Sequence, residues 1–517
     1  MLDLLNQFWI ELPLTYALTV GGLVSGYRRG GVPSKGRFIR ALGAGVPLLV
    51  ALLILWACIT HLAEAGIDPR PFRTLHVLSG FIFMVSASAL SGAVLARSKS
   101  KRVVERGTVI LGEGTDDPSS QAAGALTLAG RSIPLLDETK HFKMLGTTGT
   151  GKSTAIRELL TAALHRDDRA VIADPDGGFL ARFYDPDRGD VILNPFNPRS
   201  ARWDLFAEIL LPHDADQLAR AFIPDHEGED RNWRDFARTF VTAILRQLHR
   251  LGEPRPSLAT LYKLLVTSND AELRDLLEGT PAGPFVGKEG GKFLESVQSV
   301  ANQHLSAIEH LARQAHGDPF SVRAWVRKGR GVLFLPYSAN EIASLRNTIS
   351  TWMRLAIFEA LSAPEGDQRL WFVVDELDAL GAIDGLKDAL TRLRKFGGRC
   401  VLGFQSIGQV RGRYGDADAQ SIVENCGNTL ILRCSASEYG GTAEFASRLI
   451  GKREIVRQQH SSTRSAGHLF SSTHSMSDHT VIEDAVMASE IEQLPDLRGF
   501  LKLASQPYWR RVTLTQA

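Results

Sequence analysis

Apolar residues are distributed along the 517-residue chain in three regimes. In the first hundred residues they run together. Residues 41–60 read ALGAGVPLLVALLILWACIT and residues 75–96 read LHVLSGFIFMVSASALSGAVLA, with no Asp, Glu, Lys or Arg in either. From about residue 107 they come in short bursts, the mark of strands buried on both faces, alternating with stretches of helical spacing. Between about 205 and 326 the bursts vanish and only helical spacing remains.

The bursts predict strands at 141–145, 170–173, 191–194, 331–335, 369–376, 400–406, 429–433 and 499–504, with small strands scattered through 107–140. Helical spacing predicts helices at 154–165, 344–361 and 386–396. Within the third regime it predicts further helices at 234–251, 257–266, 271–277 and 292–313. Alternating strands and helices imply an α/β fold with a mainly parallel, doubly wound sheet. The nucleotide-binding domain is expected over 106–204 and 327–517, interrupted by an inserted all-α domain at 205–326.

An uninterrupted apolar run of about 20 residues matches a hydrocarbon core about 30 Å thick. The region 1–105 is therefore expected to be a transmembrane helical region with spans at 41–60 and 75–96. Arg28, Arg29, Lys35, Arg37 and Arg40 precede the first run, and Arg97, Lys99, Lys101, Arg102 and Arg106 follow the second. Lys and Arg concentrate on the cytoplasmic side, so both outer flanks and everything after residue 100 are expected in the cytosol. Residues 8–27 carry Glu11 and Pro13 and read as a third span or as an interfacial helix. The start, MLDLLNQ, lacks the charged region of a cleaved signal peptide.

Charge changes little in this picture. With 59 basic and 57 acidic residues the net charge is +2, which neither advertises nucleic acid nor excludes a locally basic groove or pore. Of the four cysteines, Cys58, Cys400, Cys426 and Cys434, none form a C-x-x-C pair, which argues against a zinc ribbon or redox motif. They read as reduced, buried thiols.

The chemistry is concentrated after the strand at 141–145. Residues 146–153 read GTTGTGKS, a full match to the phosphate-binding pattern G-x-x-x-x-G-K-[ST], set between a predicted strand and a predicted helix. Gly146, Gly149 and Gly151 let the backbone wrap so that the N–H groups of Thr147, Thr148, Thr150 and their neighbours face phosphate oxygens. Lys152 is expected to reach the β- and γ-phosphates of ATP, and Ser153 to offer a hydroxyl to Mg²⁺. Thr154 opens the helix whose positive end meets the same phosphates. A second carboxylate is needed to complete the metal shell, and RLWFVVDE at 369–376 supplies it. Asp375 is the expected Mg²⁺ partner and Glu376 the group that polarises the attacking water.

Two further residues carry alternatives. Gln405 ends the strand CVLGFQS and either senses the γ-phosphate or satisfies a loop. An arginine of the helix 386–396, which carries Arg392, Arg394 and Lys395, is either an arginine finger toward a neighbouring subunit or part of a solvated basic face. The tract 457–479, with His460, His468, His474 and His479, lacks regular spacing and a carboxylate partner, and reads as a polar loop rather than a metal site.

Taken together these residues resemble the type IV secretion coupling proteins of the TraD and TrwB kind. The resemblance covers nearly the whole chain: the two N-terminal runs, GTTGTGKS, VILNPFNPRSARWDLF at 191–206, RNWRDFARTF at 231–240, RLWFVVDEL, RKFGG, GFQS and IEQLPDL at 491–497 follow in order. It implies a RecA-like P-loop ATPase in the bacterial inner membrane, multi-pass, with its main body in the cytoplasm. It also implies a homo-hexamer around a central channel, with DNA, the relaxase and relaxosome, and the type IV secretion channel as partners. By matching motifs, Lys152 and Ser153 carry over as phosphate and Mg²⁺ residues, Asp375 and Glu376 as the acidic pair, and Gln405 as the glutamine ending the third motif. Arg394 carries over as the arginine facing the neighbouring nucleotide. TraD-type members often bear a long C-terminal tail that docks the relaxosome. This sequence ends at Ala517, shortly after PYWRRVTLT, and is expected to be tail-less. Two competing readings are a chromosome pump of the FtsK type, whose usual four spans, linker and winged helix are not visible, and a docking platform for protein effectors that uses ATP only to assemble.

Overall fold

The computed structural model describes residue 65 and residues 103–515 except 114–124, 225–227, 253–255, 287–290, 315–316, 438–440 and 465–471. The chain divides into two compact units, residues 1–105 with 454–481 and residues 106–453 with 482–517.

Ten strands of the second unit form its main sheet: β1 Ile110–Leu111, β2 Phe142–Leu145, β3 Arg169–Pro175, β4 Val191–Ile192, β5 Val332–Tyr337, β6 Leu370–Val374, β7 Gly398–Phe404, β8 Asn428–Ile431, β9 Arg498–Lys502 and β10 Trp509–Thr513. Their order is β1-β10-β9-β8-β2-β7-β6-β3-β5-β4. The seven strands from β8 to β4 run parallel, whereas β9 and β10 join antiparallel. The register sets Val374 of β6 beside Ala173 of β3 and Leu402 of β7, and Phe404 of β7 beside Leu145 of β2. The carboxyl ends of β2, β7, β6 and β3 thus open along one edge of the sheet, where Gly146, Gln405, Asp375 and Asp174 emerge.

Both faces of the sheet are covered, which is why its strands read as apolar bursts without alternation. Trp371 and Val373 of β6 face a core built with Ile156, Leu159, Leu160 and Ala163 of helix α1, Lys152–His165. Leu370, Phe372 and Val374 face the opposite core. Each fully buried large side chain contributes about 1.5–3 kcal/mol, so β6 is among the most firmly anchored elements. The helices used below are α2 Gly178–Phe183, α3 Pro212–Phe222, α4 Arg231–Arg250, α5 Gly291–Arg313, α6 Ile342–Leu361, α7 Leu386–Arg392, α8 Ile407–Tyr414 and α9 Asp416–Asn425.

Between Arg202–Trp203 and Pro319–Phe320, which pair in parallel, the chain is helical. Phe240, Ile244 and Leu248 of α4 and Leu294 and Val297 of α5 share the second core with Trp352 and Met353 of α6 and with the sheet. Buried Glu208 ties the two ends of this stretch. It accepts from Trp203 Nε1 at 3.0 Å, from Val322 N at 2.7 Å and from Arg323 N at 3.1 Å.

Two expectations are corrected. Among the described residues no helix is long and apolar enough to cross a membrane. The helices α4, α5 and α6 have the length but carry charged side chains. The expected multi-pass placement in the inner membrane is set aside on that finding. The runs at 41–60 and 75–96 and the segment 8–27 lie outside the described residues. The tract 457–479 is also not simply a loop. Lys452–Arg464 and Ser472–Asp484 are strands in a three-stranded sheet with Val103–Gly107. Ladder hydrogen bonds come from the backbone, so a sequence without apolar alternation can still form one.

Candidate nucleotide-binding site

The loop from Gly146 to Gly151 leaves β2 and enters α1. Gly149 and Gly151 adopt φ of 78° and 114°, which L side chains rarely tolerate. At Gly146 the constraint is space: a Cβ there would lie 2.6 Å from Thr150 Oγ1 and 2.9 Å from Leu432 Cβ. The loop is pinned on its outer side. Thr147 N donates to Arg433 O at 2.8 Å, Thr150 Oγ1 donates to Thr147 O at 2.7 Å, and Leu497 N donates to Thr150 O at 3.0 Å. A Cβ on Gly151 would meet Leu497 and Leu514, so the motif IEQLPDL is the backing of the phosphate loop.

Lys152 is buried, and its Nζ donates to Gly146 O at 2.6 Å and Thr147 O at 3.3 Å, inside the curve of the loop. Burial lowers its pKa, and the nearby Asp375 and Glu376 carboxylates oppose that. Ser153 Oγ donates to Asp375 Oδ2 at 2.5 Å. The lysine loop and the acidic strand end, 222 residues apart in sequence, therefore meet directly. Thr154 follows in the first turn of α1, half-buried.

Asp375 is 6% exposed, and its Oδ1 is buried with no hydrogen-bond partner among the described residues. Burial raises its pKa, against the opposing pull of Ser153 and Lys152. A buried carboxylate oxygen without a donor, beside a serine hydroxyl, suits a hard divalent cation. Mg²⁺ takes one or two such protein oxygens and fills its shell with water and phosphate. Glu376 is half-buried, and burial together with Asp378 and Asp375 raises its pKa. Gln405 links it to the loop: Gln405 Nε2 donates to Glu376 Oε1, and Thr148 Oγ1 donates to Gln405 Oε1 at 2.9 Å.

Arg394 is not brought to this site. It is exposed on the 3₁₀ turn Leu393–Phe396, before the first residue of β7, whereas the phosphate loop lies beyond the last residues of the parallel strands. The seven residues of β7 separate the two ends by roughly 20 Å at about 3.3 Å per residue.

Several neighbours of the site escaped sequence reasoning. Asp174 ends β3 beside the acidic pair. It accepts from Phe179 N at 3.0 Å and Leu180 N at 2.7 Å at the start of α2, and burial pushes its carboxyl up to about 6. The Tyr337 hydroxyl, at the end of β5, is buried without a hydrogen-bond partner among the described residues. Gly403 lets β7 pass the acidic strand end, since a Cβ there would lie 2.3 Å from Asp375 O. The signal for Asp174 was present in the sequence, an acid closing a buried strand. Its proximity to Asp375 follows only from strand order.

Comparison with known proteins agrees with this geometry. Residues 125–515 match the family model of the type IV secretion-system coupling protein DNA-binding domain. Coupling protein TraD of Escherichia coli (strain K12) is 34% identical over 385 residues, 73% of this chain and 53% of that protein. The type IV secretion system-coupling protein VirD4 of Bartonella quintana (strain Toulouse) is 30% identical over 233 residues, 40% of this chain and 35% of that protein. The chain thus spans about half or less of the length of these curated relatives. The structure of plasmid coupling protein TrwB in complex with ADP and Mg²⁺ superposes with a TM-score of 0.70 at 31% identity, over 81% of this chain and 95% of that one. Its complex with a non-hydrolysable ATP analogue gives a TM-score of 0.69 at 32% identity, over 81% and 96%. A parallel sheet of RecA type, with a complete phosphate loop joined to an acidic strand end, carries this likeness from residue 125 to residue 515, and the chain belongs to the family of type IV secretion-system coupling proteins.

Proposed function

We propose that the chain is the ATP-hydrolysing motor that moves DNA, together with its relaxase, from the relaxosome to a type IV secretion channel. It works as a homo-hexamer around the transported strand. The observation that carries the reading is the direct contact between Ser153 and Asp375, in a chain that matches the coupling-protein DNA-binding domain over residues 125–515. The RecA-like domain is assigned to 106–204 and 327–517, with 205–326 as its helical insertion.

In this reading the backbone of Gly146, Thr147, Thr148, Gly149, Thr150 and Gly151, with Thr154 at the helix start, cradles the phosphates of ATP. Lys152 exchanges its bonds to Gly146 O and Thr147 O for β- and γ-phosphate oxygens. Ser153 and Asp375 hold Mg²⁺, which when bound neutralises charge on the phosphates. Glu376 accepts a proton from the water that attacks the γ-phosphorus in line, and the bond to the bridging oxygen breaks to leave ADP and phosphate. Gln405 holds Glu376 in register with Thr148 and so reports on the γ-phosphate. Arg394, too far from its own chain's site, serves the nucleotide of the next subunit.

Lys152→Ala is the direct test. Turnover of ATP is expected to fall at least 100-fold, a loss of about 2.7 kcal/mol or more in transition-state stabilisation, with the thermal unfolding curve preserved. Turnover within threefold of the parent defeats the site assignment. ATPase stimulation by added DNA separates the motor from a docking platform: a platform shows none.

A further inference from the structure

Away from the nucleotide site, two hollows of about 490 and 860 Å³ run into one another, sharing Arg220, Arg231, Asp235 and Arg238. One wall is α4. Arg231, Arg234, Arg238, Arg246 and Arg250 lie along it at helical spacing and so form one stripe. The facing wall is the loop 382–385, the start of α7 and the end of α8, with Arg413. Eight Arg and Lys side chains line the cleft against four Asp, leaving +4 in a chain whose total is +2.

Each of the four aspartates is already engaged. Asp216 pairs with Arg246, Asp235 with Arg238 at 3.3 Å, Asp384 with Arg354 at 2.8 Å, and Asp418 with Lys387 at 2.7 Å. Arg234, Arg250 and Arg413 have no carboxylate partner among the described residues. A concave, low-dielectric wall focuses such a field. The stripe from Arg231 to Arg250 is about 28 Å long at 1.5 Å per residue, the rise of roughly eight nucleotides at 3.4 Å each.

We propose that this cleft binds a single nucleic-acid strand, with its phosphates held by Arg234, Arg250 and Arg413 from both walls. The proposal rests on the reading of the chain as a DNA-handling protein. It adds a defined site, distant from the phosphate loop, through which strand and protein meet.

The test uses the full chain and a labelled single-stranded DNA 30-mer in a fluorescence-anisotropy titration at several salt concentrations. The triple substitution Arg234→Glu, Arg250→Glu, Arg413→Glu is expected to weaken binding at least tenfold and to flatten the salt dependence by about two to three units of slope. DNA-independent ATP turnover stays at the parent level. The triple change to Gln, which keeps the side chains polar and uncharged, is expected to move both quantities in the same direction by less. If the parent protein binds the 30-mer and both triple variants bind it with the same affinity and slope, the cleft is not the site while the motor reading stands. A parent that binds no DNA at all sinks the motor reading and the cleft with it. Displacement of the 30-mer by polyglutamate at equal charge concentration would mark the cleft as an acidic-peptide site and overturn the proposal.

Discussion

At the scale of single residues, the site is governed by groups held away from water. Glu376 shares a half-buried corner with Asp378 and Asp375, and its carboxyl is raised above the ordinary glutamate range. In the proposed mechanism only the deprotonated form polarises water, so activity is expected to be lost as pH falls through that raised value. The acid limb of kcat/KM for ATP is therefore expected above about 4.3, the unperturbed glutamate value. Glu376→Gln is expected to remove that limb together with most of the turnover, and a limb at or below 4.3 in the parent would contradict the assignment. Gly403 offers a separate test of packing. Its Cβ would meet Asp375 O at 2.3 Å, so Gly403→Ala is expected to cost about 1–3 kcal/mol in urea unfolding. Neither Gly403 nor Tyr337 was identifiable beforehand, because each matters through a neighbour from another strand.

At the scale of elements, the strand and helix pattern was legible in outline and displaced at its ends. Strands β3, β6 and β7 and helices α1, α4 and α6 all appear where apolar spacing puts them. The expected helix 386–396 is instead α7, Leu386–Arg392, followed by the 3₁₀ turn Leu393–Phe396, which closes on Gly397 at φ 69°. Helices α8 and α9 were not anticipated. Each is short, and few of its side chains face the core, Ile407 and Val410 in α8 and Ala419, Ile422 and Val423 in α9. These overlooked elements have a consequence. The segment 376–385 and the segment 405–414 both run from the nucleotide site to the basic cleft. They are joined at the start by Gln405 and Glu376 and at the end by Ile383 N donating to Tyr414 Oη at 3.1 Å. Removing the far rung by Tyr414→Phe is expected to leave DNA binding and basal ATP turnover within twofold of the parent and to lower DNA stimulation of turnover at least threefold. Full stimulation in that variant would show that the two segments do not transmit the signal.

At the scale of the whole molecule, stability carries a buried titration that sequence does not reveal. His141 precedes β2, is almost fully buried, and accepts from Cys400 N on Nδ1 at 3.1 Å. Burial pushes its pKa down to about 4 from 6.5. As pH falls from about 6.5 to about 4 the unfolded chain takes up the proton and the folded chain does not, so stability declines by up to about 3 kcal/mol. Asp174 has the opposite sign. Its folded carboxyl keeps a proton up to about 6, so its contribution is lost as pH rises from about 4 to 6. The difference between parent and His141→Gln isolates the histidine. That difference is expected to grow in the parent's favour by about 3 kcal/mol from pH 4 to 6.5 in urea unfolding, and a flat difference would refute it.

Local pattern alone determined the phosphate loop, the acidic strand end, the helical interruption and the family, because each depends on the order and spacing of residues along the backbone. Tertiary structure decided everything that requires strand order. It placed Asp375 against Ser153, Gln405 between Thr148 and Glu376, and Arg394 at the opposite end of the strands. It also gathered eight basic side chains from α3, α4, α7 and α8 into one cleft. A near-neutral composition conceals such a cleft, because net charge adds over the whole chain whereas a bound strand responds to the field at one surface.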